Sequence, residues 1–135
     1  MKYNSQIINY ITLFEDLTKA KIKDCLSNDR GIIFVVYSGE ISKAIGKNGI
    51  NVKRMGNLIK KNIKIVEFNE DIIKFVRNYI YPIDVKEINF NDSKLIIMVK
   101  DKKSKALLMG RDSKNLLELK DILRRYFTIN EIKII

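Results

Sequence analysis

Apolar positions recur along residues 5–19 at helical spacing, with Tyr10, Leu13 and Leu17 on one side and Ile7, Ile11 and Phe14 on the neighbouring face. The pattern predicts an amphipathic helix with Ser5 as its N-cap. Residues 21–26 read as a strand, 27–31 as a turn and 32–37 as a second strand, so a hairpin is the economical assignment. The run Ile32-Ile33-Phe34-Val35-Val36-Tyr37 is too apolar for an exposed edge and belongs at the centre of a sheet. Ser38-Gly39-Glu40 ends it and starts a short helix through Ile45. From Ile50 onward Val52, Met55 and Leu58 or Ile59 again fall at helical spacing, with Lys53, Arg54, Lys60 and Lys61 between them; residues 63–67 alternate as a closing strand.

The same order then occurs a second time. Residues 68–81 predict another amphipathic helix, capped by Asn69 and ended by Pro82. Residues 83–90 and 95–99 form a hairpin across Asn91-Asp92-Ser93, a short helix covers 104–109, and a strand closes the chain over 131–135. Gly110 lies 64 positions after Gly46, and Leu116, Leu119, Ile122, Leu123 and Phe127 lie 64 after Val52, Met55, Leu58, Ile59 and Ile63. Two copies of one α+β unit follow, residues 1–67 and 68–135, each a helix, two strands, two helices and a strand.

Between the paired helices of the first copy stands Ala44-Ile45-Gly46-Lys47-Asn48-Gly49-Ile50-Asn51-Val52. Gly46 and Gly49 allow the backbone to turn sharply and leave its amides uncovered, and Lys47 sets a cation between them. The following helix adds the positive end of its dipole, so the loop suits a phosphate backbone. A P-loop is excluded, because Ile41 stands at its first glycine and Asn48 at its Ser/Thr. A dinucleotide fingerprint would put Ala44 at the first glycine and needs a strand ending directly before it, whereas strand residues stop near Tyr37. A plain helix-helix turn and the G-x-x-G clamp of KH domains, which holds about four nucleotides of single-stranded RNA, stay open on the loop alone. The second copy carries Gly110-Arg111-Asp112-Ser113, with Ser113 in place of the second glycine and an acid beside it.

The chain has 135 residues and a formal charge of +10, and all of that charge falls in two segments, 40–67 and 100–125, each net +5. These segments contain the loops and their helices, which is an electrostatic footprint for nucleic acid. No run approaches the roughly 18 apolar residues of a membrane span, and the N-terminus lacks a signal-peptide profile, so a cytoplasmic protein without a membrane partner is expected. The chain has one cysteine, Cys25, and no histidine. Internal disulfides, His/Cys metal sites and Ser-His or Cys-His nucleophile pairs are thereby removed. Cys25 reads as a small core residue. The adjacent acids Glu15-Asp16 and Glu70-Asp71 do not face each other on a helix and read as first-turn or solvated charges. No enzyme activity, small-molecule substrate or cofactor is expected.

With the repeat in view, Tyr10-Ile11-Thr12-Leu13-Phe14-Glu15, Ile32-Ile33-Phe34-Val35-Val36, Ala44-Ile45-Gly46-Lys47-Asn48-Gly49 with Asn51-Val52-Lys53-Arg54, and Ile65-Val66-Glu67 together resemble the archaeal NusA-like transcription factors. The resemblance implies two tandem type II KH domains, each a three-stranded sheet covered by helices, that bind single-stranded RNA and act in transcription elongation or termination with RNA polymerase. On that basis Gly46, Lys47, Asn48, Gly49, Lys53 and Arg54 form the first RNA site, and Gly110, Arg111 and Lys114 belong to a second, degenerate one. A KH protein of ribosome assembly or translation and a polymerase scaffold with little RNA binding are the alternatives.

Overall fold

The computed structural model describes residues 4–135. The chain forms two compact units that divide between Asn69 and Glu70.

In the first unit, helix α1 (Ser5–Thr18) is followed by strands β1 (Ile22–Asn28) and β2 (Gly31–Val36), helices α2 (Ile41–Ile45) and α3 (Ile50–Ile59), and strand β3 (Ile63–Glu67). The sheet order is β1-β2-β3, with β2 antiparallel to β1 and parallel to β3. Every residue of β2 is buried, as a central strand covered by helices requires. Phe14 of α1 stacks on Phe34 of β2 with ring centroids 4.3 Å apart, and Ile7, Cys25, Ala44 and Met55 complete the buried cluster. Of the two candidates for the apolar face of α3, Leu58 is 59% exposed. Ile59 lies about 40° around the helix from the buried Met55 and takes the inward place.

The second unit repeats the order with α4 (Ile72–Ile80), β4 (Glu87–Asn91), β5 (Lys94–Met98), α5 (Lys102–Met109), α6 (Lys114–Tyr126) and β6 (Glu131–Ile134). Its sheet, β4-β5-β6, has the same antiparallel and parallel pairings. Phe75, Val76, Leu95, Ile97, Ile122 and Leu123 are fully or almost fully enclosed.

Four local expectations shift. Asn4, not Ser5, caps α1, accepting the Ile7 amide at 2.8 Å. Helix α4 starts three residues after Asn69 and is capped by Asp71, because the Phe68 amide is still held in the first sheet by the Val36 carbonyl at 2.8 Å. Strand β4 starts four residues late: the Ile83 amide bonds back to the Ile80 carbonyl, so the residues after Pro82 complete the turn out of α4. Glu15 is not a solvated charge, since its carboxylate accepts the Ile22 amide at 3.1 Å and ties α1 to β1.

Candidate nucleic-acid interface

The short helix α2 stops at Gly46, whose amide still bonds the Ser42 carbonyl at 2.9 Å before the chain turns away with φ 78° and ψ 168°. That backbone region is essentially restricted to glycine. A single 3-10 turn, Lys47–Gly49, follows, with the Gly49 amide donating to the Gly46 carbonyl at 3.1 Å and the Ile50 amide to that of Lys47. Lys47 and Asn48 thus carry the first amides of the turn, ahead of its first bonded donor, which is the position from which helical turns present N–H groups outward. Both side chains are exposed. Asn48 and Gly49 take left-handed conformations, with φ 57° and 71°, and the loop sets exposed Lys47 and Asn48 beside the start of α3. Such a convergence of donors and positive charge suits phosphate oxygens.

Helix α3 begins at the loop and carries Lys53 and Arg54, both exposed, in its second turn. Exposed Lys43 of α2 lies 3.5 Å from the half-buried Glu40, a surface pair of little energetic consequence. The Glu40 carboxyl is held below its ordinary range mainly by the hydrogen bond from the Lys21 amide and then by Lys43. Its main structural task is therefore anchoring the backbone before β1. Beside the loop, Ile45 and Ile50 are exposed and Val52 is half-buried, giving apolar surface against which a base can lie.

The second loop has the same shape. Gly110 takes φ 73° and ψ 170°, Asp112 φ 55° and ψ 30°, and Ser113 φ 59° and ψ 24°. Substitution of serine for the second glycine has therefore not changed the path of the chain; Ser113 bears a left-handed strain of about 1–2 kcal/mol and the Ser113 amide still reaches the Gly110 carbonyl at 3.2 Å. Arg111 and Lys114 are exposed beside Asp112. The flanking helices differ more than the loops. Where α2 and α3 carry Lys43, Lys53 and Arg54, the residues 64 positions later are Leu107, Leu117 and Glu118. Leu107 and Leu117 are both about half exposed, and the Glu118 carboxylate accepts the Tyr79 hydroxyl.

One feature of both loops was not singled out from the sequence. The Asn51 side-chain amide donates to the Lys43 carbonyl at 3.0 Å, and that of Asn115 to the Leu107 carbonyl at 2.8 Å. Its sequence signal was the recurrence of asparagine five residues after the first glycine in each copy.

A depression on the first unit lies elsewhere, lined by Asn28–Gly31, Gly56 and Lys60–Asn62. It opens at the C-terminal end of α3, where the helix dipole disfavours an anion while Arg30, Lys60 and Lys61 favour one. Among the described residues no group of three or more Cys, Asp or Glu side chains is placed to hold a metal ion, and no helix is long and apolar enough to cross a membrane.

Residues 10–71 match the family model of the NusA-like second KH domain. Over its whole length the chain is 32% identical to the probable transcription termination protein NusA of Methanococcus vannielii, covering 80% of that protein. It is likewise 32% identical over its whole length to the namesake of Methanocaldococcus jannaschii, covering 75% of it. The relative from Thermoplasma acidophilum is 27% identical across 97% of this chain and 93% of its own. Among solved structures, that of APE1850 superposes with a TM-score of 0.78 at 24% identity, covering 98% of this chain and all of the other, and shares its fold.

Proposed function

Because the chain belongs to the archaeal NusA family of KH-domain, RNA-binding transcription factors, we propose that it binds single-stranded RNA through the loop Gly46–Gly49 and acts with RNA polymerase in the cytoplasm during elongation or termination. Residues 1–67 and 68–135 are the two KH domains of this reading. The observation that carries it is the coincidence of three features in the first domain: an exposed loop with leading amides and a cation, exposed Lys53 and Arg54 on the helix that leaves it, and a net charge concentrated in that segment. Lys47 and the loop amides hold phosphates, Asn48 adds a side-chain amide, and Lys53 and Arg54 guide the backbone onward. Splayed bases lie against the apolar surface beside the loop.

Gly110, Arg111 and Lys114 form a weaker site. Its backbone is competent, so the difference between the domains is electrostatic: Asp112 faces an incoming phosphate where Asn48 offers an amide, and Leu117 and Glu118 stand where Lys53 and Arg54 would attract one.

Binding to a single-stranded RNA is to be measured across salt concentrations. Each phosphate contact contributes about 0.7 to the log-log slope, so Lys47→Ala lowers both the affinity and the slope, for any RNA sequence, while the fold stays intact. Affinity and slope equal to those of the parent remove Lys47 from the site. The pair Lys47→Asp with Asn48→Asp loses most binding, and Asp112→Asn with Ser113→Gly gains some. A first pair that costs little and a second without effect would move a polymerase scaffold ahead of an RNA clamp.

A further inference from the structure

We propose that Asn51 and Asn115 are positioning residues, latches that hold the two loops open for phosphate, and that the latch adds a steric bar to replacing the first glycine of each loop that the second does not meet. The proposal rests on the reading of the loops as RNA clamps.

Between residues 44–52 and 108–116, nine positions each, only the first glycine and this asparagine are the same residue. Even so, the two loop backbones agree within 12° in φ and ψ at Gly46 and Gly110, Asn48 and Asp112, Gly49 and Ser113, and Ile50 and Lys114. Beyond apolar residues at 44/108, 45/109 and 52/116, this glycine and asparagine are what the two segments share. The asparagine sits in the first turn of α3 or α6, and its amide reaches a carbonyl in the preceding helix, Lys43 or Leu107. Carbonyls at a helix end have no intrahelical donor. The bond supplies one and ties the end of one helix to the start of the next, with the loop closed between them.

The latch adds to a backbone reason for the unequal fate of the two glycines, since Gly46 and Gly110 already stand at glycine-only angles. A Cβ on Gly46 would lie 2.8 Å from the Asn51 amide nitrogen, and one on Gly110 2.7 Å from that of Asn115, so either would push the latch from its seat. A Cβ on Gly49 would meet nothing within 4 Å, and its left-handed angles are open to residues other than glycine at a modest cost. Ser113 occupies the equivalent place.

The test uses the full chain with Asn51→Leu, which keeps the size of the side chain and removes its donor; Asn51→Ala serves if the leucine variant does not fold. Without RNA, 15N relaxation is expected to show lost order at the Lys47 and Asn48 amides, with the rest of the first unit unchanged. Affinity for a single-stranded RNA should fall about fivefold, the consequence of one lost hydrogen bond. The salt slope should stay at the parent value, because the latch touches no phosphate, whereas Lys47→Ala lowers it. Loop amides as ordered as in the parent overturn the latch. A loosened loop with undiminished affinity, beside a Lys47→Ala variant that binds weakly, overturns its positioning role. Should Lys47→Ala bind as the parent does, the clamp reading falls, and the latch is judged on the loop amides alone.

Discussion

Gly46 and Gly49 serve one loop under different constraints, and the difference is measurable at single residues. Gly46 has the glycine-only angles and the asparagine against its α-carbon, so Gly46→Ala should distort the loop and lose most RNA affinity. Gly49→Ser should bind RNA within a few-fold of the parent, because the second unit already folds with serine there. Equal losses in the two variants, read by titration against one RNA, would contradict the distinction. Away from the loop, Phe14 is fully buried against Phe34, and Phe14→Ala should cost about 3–5 kcal/mol in denaturant unfolding without changing the salt slope of whatever folded protein remains.

At the level of elements, helices and strands were legible wherever a run of apolar residues had one consistent period, as in β2, β3 and α6, and their ends were not. The start of α4 was misplaced because the chain before it is already bonded elsewhere, as Phe68 is to β2; α1 begins where its apolar period begins, and only its cap lies one residue earlier, at Asn4. The loop was legible from its glycines, and the latch was missed because its one signal, the asparagine repeated after 64 residues, lies outside the hydrophobic periodicity that marks the elements. Helix α5 allows an element-scale test. Asp101 caps it, and its carboxyl is held below the ordinary 3.8 chiefly by the Ser104 amide and then by the Ser104 hydroxyl. A carboxyl with a lowered pKa in the folded state contributes its stability in full above the unfolded value and loses it as pH falls through the folded one. Asp101→Ala should therefore destabilise the protein at neutral pH, and the gap from the parent should narrow as pH falls below 3.8; a gap independent of pH would rule out the charge as its cause. The β4–β5 turn allows another. Asp92 and Ser93 have φ of 51° and 61°, the angles of a two-residue turn that prefers Asn-Gly. Asp92→Asn with Ser93→Gly should raise stability by about 1 kcal/mol in urea unfolding, and a loss would show that the present residues are held by contacts beyond the turn.

Across the whole molecule, a duplicated fold carries a duplicated charge but not a duplicated chemistry. Both loop segments are net +5, and both loops have one backbone shape. The second unit has nevertheless exchanged phosphate-attracting positions for Leu107, Leu117 and a Glu118 engaged with Tyr79. On the proposed function a division of labour is expected, with the first unit as the main clamp and the second as a weaker guide. The most direct measurement is a titration of the 15N-labelled chain with a single-stranded RNA, followed amide by amide. The account predicts that the largest and earliest shifts fall on Gly46–Gly49, Lys53 and Arg54, with smaller and later ones on Gly110–Lys114. Shifts confined to other surfaces, or a second loop that responds before the first, would contradict it.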